Sequence, residues 1–132
     1  FNLNPQQGYG KETMFLENGY KLDVTSKGCN SIVNTYSYFF TANDLDVSDE
    51  MAVSKKVLEL IEMTAKMSKA EFNIKSRLNP LKVMVEQIGP FTIGNELILS
   101  EKNGMQKFSI ERLEFKESKN NVFLSYYFSY NL

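Results

Sequence analysis

The 132-residue chain predicts an α+β protein that is mostly β, on three observations. Phe and Tyr supply all of its aromatic residues, 13% of the sequence, and both favour pleated, half-buried surfaces. Short apolar runs alternate with polar residues and are separated by Asn-Gly and Gly-Asn pairs, the chemistry of tight β turns. A stretch from Ser68 to Gly89 carries helix signals, from a capping box to a glycine stop.

The elements follow in order. Residues 1–5 read as a first strand stopped by Pro5. Residues 12–16 and 20–25 flank Asn18-Gly19 and read as a hairpin, since Asn-Gly accepts the positive φ of a tight turn. In its second arm Tyr20, Leu22 and Val24 share one face while Lys21, Asp23 and Thr25 share the other. After Gly28-Cys29-Asn30 and Ile32-Val33, residues 35–41 read as a third strand. Residues 42–50 form an acidic loop.

Residues 53–67 admit two readings. Val57, Leu58, Leu60, Ile61 and Met63 suit a helical stripe, yet the same run suits a strand buried on both faces. Periodicity alone does not separate them. Ser68 and Glu71 then form the capping box, Ala70, Phe72, Ile74 and Leu78 start a helix, and Asn79-Pro80 breaks or kinks it. Leu81, Met84, Val85 and Ile88 continue its apolar stripe to Gly89-Pro90. The remainder is β: residues 90–93 and 96–100 joined by Gly94-Asn95, residues 106–115 after Asn103-Gly104, and an aromatic final strand after residues 119–121.

Composition excludes several function classes. A formal charge of −1 and the absence of Lys or Arg between the rings of residues 123–130 argue against nucleic acid, which needs phosphate contacts as well as stacking. No apolar run is long enough to span a bilayer. The sole cysteine, Cys29, cannot form an internal disulfide. With no histidine in the chain it also has no imidazole base to make a thiolate, so no catalytic residue is expected. One Cys and no His leave no zinc set, and Asp44 to Glu50 lacks the glycine and bidentate glutamate of a calcium loop. No metal and no cofactor is expected, and a solvated loop or a helix N-cap is the better reading of that acidic stretch. On the strand reading of that run Glu59 and Glu62 fall on opposite faces and do not pair as acids.

The aromatic edge of Tyr36, Tyr38, Phe39 and Phe40 with Tyr126, Tyr127, Phe128 and Tyr130 is the best place for a functional surface, with Tyr36, Tyr38, Tyr126, Tyr127 and Tyr130 as the candidate interaction residues. Alternation buries half of such rings in any case. The rest would form an exposed aromatic patch for a protein partner.

In this layout the chain resembles the META domain family, the HslJ-like heat-inducible lipoproteins of bacterial envelopes. Asn18-Gly19 through Gly28, Cys29 and Asn30 is similar to the family's strand entering a Gly-Cys-Asn corner. Thr64-Ala65-Lys66-Met67-Ser68 looks like its Thr-(Arg/Lys)-Met-(Ala)-Cys motif, with one residue inserted before Lys66 and Ser68 near the cysteine position. Residues 71–88 match its single helix. Ile93-Gly94-Asn95-Glu96 to Leu99, then Asn103-Gly104 and Phe108, look like its closing hairpin, and Phe1-Asn2-Leu3 sits where a Trp-x-Leu strand is usual. The family-motif positions are thus Gly28, Cys29, Asn30, Thr64, Lys66, Met67, Gly94 and Asn95.

The resemblance implies a small twisted antiparallel sheet or partial barrel with one Pro-interrupted helix packed on it. It makes residues 57–67 a strand, residues 1–132 a single domain with an insertion near 44–54, and residues 113–132 a C-terminal strand extension. It implies a non-enzymatic, stress-related or protein-interaction role in the cell envelope, periplasmic or outer-membrane-anchored. The chain starts at Phe1 rather than Met, as either a trimmed or a processed mature chain would, and the resemblance leaves room for a lipid anchor upstream of residue 1. The alternative is a secreted effector, inhibitor or immunity-type protein that binds a single protein partner through an aromatic sheet face.

Overall fold

A computed structural model describes residues 2–4, 9–16, 19–28, 31–41, 45–46, 48–66, 75–100, 106–116 and 121–131. The strands are β1 (Asn2–Asn4), β2 (Tyr9–Phe15), β3 (Lys21–Lys27), β4 (Ser31–Thr41), β5 (Leu97–Ser100), β6 (Gln106–Lys116) and β7 (Asn121–Asn131). Two helices, α1 (Glu50–Ala65) and α2 (Lys75–Gln87), lie between β4 and β5 in the chain. The mostly-β α+β class is as the composition requires. The chain forms two compact units: the sheet unit, Phe1–Thr41 with Ile93–Leu132, and the helical unit, Ala42–Thr92.

The sheet unit is an open, twisted antiparallel sheet in the order β1-β2-β3-β4-β7-β6-β5. Its β2–β3 hairpin turns where Asn18-Gly19 predicts. The Gly19 amide donates to the Leu16 carbonyl at 2.9 Å, and Gly19 takes φ 88, a left-handed angle that costs a side-chain-bearing residue about 1 kcal/mol or more. At the next corner Gly28 takes φ 125 and β4 starts at Ser31, so Ile32 and Val33 belong to the same strand as residues 35–41.

Alternation decides what each strand buries. Leu22 stands opposite Tyr38, Tyr38 opposite Leu124, Val24 opposite Tyr36, and Tyr36 opposite Tyr126. All six are buried. In β6 the apolar parity shifts from Phe108 and Ile110 to Leu113. The ladder absorbs this with a bulge: Ile110 pairs with Tyr126 and Arg112 with Ser125, so Glu111 is the extra residue. The bulge places Leu113 opposite Leu124, on the apolar side.

Residues 53–65 are helical, which corrects the strand that the resemblance implies for 57–67. Asp49 caps the helix, its carboxylate accepting from the Met51 and Ala52 amides at 3.0 and 3.3 Å. Val53, Val57, Leu60, Ile61 and Thr64 are buried along one helical stripe. Lys56 and Glu59, three residues apart, form an exposed pair at 3.3 Å. Against a capped stripe of that length, strand pairing of the same residues has no comparable local support. The acidic loop therefore serves as an N-cap.

α1 packs against α2, which contributes buried Leu78, Leu81 and Val85. Pro80 lies inside α2 rather than ending it. Gly89, φ 131, stops the helix, its amide donating to the Met84 carbonyl at 3.2 Å. Residues 90–93 form no strand. The Phe91 amide donates to Ser54 Oγ at 2.7 Å and Thr92 Oγ1 to Glu50 at 3.1 Å, so α1 takes the groups that a ladder would need. The capping box at Ser68 and Glu71 lies outside the described residues, as do Asn103-Gly104 and residues 119–120.

Candidate interaction surface

The two faces of the sheet unit differ in kind. On the buried face Tyr126 is fully enclosed, with the rings of Tyr36, Tyr38, Phe108 and Phe128 centred 5.3, 5.6, 5.7 and 5.7 Å away. The Tyr38 and Tyr126 hydroxyls share a hydrogen bond at 2.5 Å, satisfying polar groups that burial would otherwise leave costly. Tyr36, Tyr38 and Tyr126 are 3%, 0% and 0% exposed. Three of the five candidate surface tyrosines therefore belong to the core. The Tyr130 side chain lies outside the description.

The opposite face carries a row of residues in register across five strands. Phe15 pairs with Lys21, Lys21 with Phe39, Phe39 with Phe123 and Phe123 with Glu114. Phe15 is 66% and Phe39 38% exposed. Lys21 Nζ lies 5.2 Å from the centre of the Phe39 ring, a cation–π contact. Phe39 and Phe123 meet edge to face at 4.8 Å. An open cleft of about 430 Å³ adjoins these rings at the ends of β4 and β7, lined also by Thr41, Glu114 and Asn121.

Further along this face stands a polar cluster. The Tyr127 hydroxyl donates to Glu96 Oε2 at 2.6 Å, and Lys107 Nζ lies 3.0 Å from Glu96 Oε1. The Tyr127 hydrogen bond, with Lys107 second, holds the Glu96 carboxyl below its usual pKa. The same carboxylate, helped by partial burial, pushes Tyr127 up to about 12. A tyrosine held neutral and a carboxylate already satisfied twice make a structural clamp rather than an acid–base pair.

The family-motif positions divide between the units. Gly28 is exposed at the end of β3, and Cys29 and Asn30 lie outside the described residues. Gly94, φ 87, donates its amide to the Ile110 carbonyl at 2.9 Å, with Asn95 exposed beside it. Thr64 is buried in the last turn of α1, its hydroxyl donating to the Leu60 carbonyl at 2.8 Å. Lys66 is the C-cap, and Met67 lies outside the description. These residues act locally, as turn, cap and back-bond, each within its own unit.

Sequence reasoning passed over Phe15, Lys21, Phe123 and Glu114. The signal was present for two positions in the row: Phe15 shares parity with Lys11 and Thr13, and the doublet Phe39-Phe40 must place one ring on each face. Glu114 was hidden by the β6 bulge, which reverses parity beyond Glu111.

Among the described residues no group of three or more His, Cys, Asp or Glu side chains is placed to hold a metal ion. Among them, too, no helix is long and apolar enough to cross a membrane. Comparison with protein-family models, with curated proteins and with solved structures finds no match.

Proposed function

We propose that the chain is a non-enzymatic interaction domain whose solvent-facing aromatic row binds a protein partner. The observation that carries this is the exposure of Phe15 and Phe39 on the face opposite an already well-filled core. Phe15 lies mostly in water and Phe39 keeps a solvent-facing edge beside Lys21, and such a row suits the centre of a protein contact, where aromatic residues concentrate the binding energy. The envelope location, stress role and upstream lipid anchor rest on the META/HslJ-like resemblance alone. The helical α1 departs from the strand that this resemblance implies.

Replacing Phe15 and Phe39 together by Ser tests the reading. The expected result is a stability loss of about 0.5 kcal/mol for the Phe15 change and about 1–2 kcal/mol for the Phe39 change, which gives up the Phe123 ring and the Lys21 cation, with the fold kept and with loss of the partner that the parent chain retains. Retained binding would defeat the proposal.

A further inference from the structure

Resting on that reading, we infer that the partner built into this face is a second copy of the chain. The two copies dock face to face about a twofold axis running along the strands between β4 and β7. That rotation exchanges β4 with β7 and β3 with β6, as a closed isologous contact requires. Phe39 then faces Phe123 of the second copy, and Lys21 faces Glu114 of the second copy, each contact occurring twice.

The row is charge-complementary to itself under this operation. Within one chain Lys21 and Glu114 are separated by β4 and β7, three strand spacings or about 14 Å, so they cannot meet. The neighbouring rows allow the approach. Ser37 and Ser125 are paired and small, and Tyr127 would stand over Thr35 of the second copy, large against small, as aligned sheets interdigitate. Lys107, which would face Lys27, is already engaged by Glu96 at 3.0 Å. The overlap under this rotation is the four strands β3, β4, β7 and β6, roughly 14 Å across, which places the contact at the small end of specific interfaces. Association is therefore weak and sensitive to salt.

Sedimentation equilibrium at low salt, from micromolar to millimolar chain, tests this. The parent chain dimerises, and Lys21→Glu or Glu114→Lys alone weakens the dimer by about tenfold or more, since each places like charges opposite one another twice. An equal mixture of the two single variants associates again as a heterodimer. In it the carboxylate introduced at position 21 of one chain meets the ammonium introduced at position 114 of the other, and the unchanged Lys21 meets the unchanged Glu114. A parent chain that stays monomeric, or a mixture that fails to recover association, overturns the inference. If the parent is monomeric while the Phe15, Phe39 double replacement still abolishes binding of another protein, the second-copy inference falls and the interaction reading stands.

Discussion

Adjacent tyrosines at the centre of β7 sit in opposite environments, and truncating each to Ala makes the contrast measurable. Tyr126 is fully buried, touches four aromatic rings and shares its hydroxyl with Tyr38. Removing a core ring of this kind costs about 3–5 kcal/mol. Four ring neighbours, each worth roughly 0.5–1.5 kcal/mol, push Tyr126→Ala to the upper end of that range. Set against a typical total of about 5–15 kcal/mol, that is a third of the stability or more. Tyr127 is half-buried and hydrogen-bonds an exposed carboxylate, so Tyr127→Ala costs about 1 kcal/mol. Urea unfolding followed by far-ultraviolet circular dichroism reads both, since the chain has no Trp to report by fluorescence. A cost for Tyr127→Ala equal to or above that for Tyr126→Ala would refute the assignment of faces, and with it the register of β7.

Two further outcomes follow from single contacts. Ser54 is buried, and its hydroxyl donates to the Glu50 carbonyl while accepting the Phe91 amide; Ser54→Ala should cost about 1–3 kcal/mol by urea unfolding, and a neutral change would mean that residues 90–92 are not held to α1. Tyr127, raised to about 12, should appear in a phenolate absorbance titration as one tyrosine ionising above the ordinary range, and Glu96→Gln should return it towards the ordinary 10.0. The signs are opposite for the two groups. Tyr127 favours the fold fully below its unfolded pKa, and that contribution is lost as pH rises towards 12. Glu96, depressed by Tyr127 and Lys107, favours it above the usual carboxylate range, and that contribution is lost on acidification through its lowered value. A titration of Tyr127 unchanged by Glu96→Gln would remove the clamp.

Much of the sheet was legible because its information is local. Asn18-Gly19 specifies a turn by itself, and the alternation of Leu22, Val24, Tyr36, Tyr38, Leu124 and Tyr126 specifies one buried face. The strand reading of 57–67 fails because a short apolar run fits both periods. Asp49, upstream of Val57 by two turns of helix, is the cap that belongs to α1, and it lies in a stretch whose acidic composition reads first as loop. Residues 90–93 have strand composition, but the Phe91 amide goes to Ser54, 37 residues earlier, and no local pattern shows that. The aromatic edge divides between the two faces for a related reason. The aromatic edge is named without its register, which gives Tyr36, Tyr38, Phe40 and Tyr126 to the core and leaves Phe39 outside with Phe15. Only pairing across strands brings Lys21, Phe39, Phe123 and Glu114 into one row.

The central claim is that this row, and not the helical unit, is where the chain meets its partner. Site-specific photocrosslinking tests it most directly, with the crosslinking residue at position 39 and, as control, at exposed Glu62 of α1. The account predicts a discrete protein adduct from position 39, of twice the chain's mass if the second-copy inference also holds, and none from position 62. Adducts from position 62 with none from position 39 would contradict it.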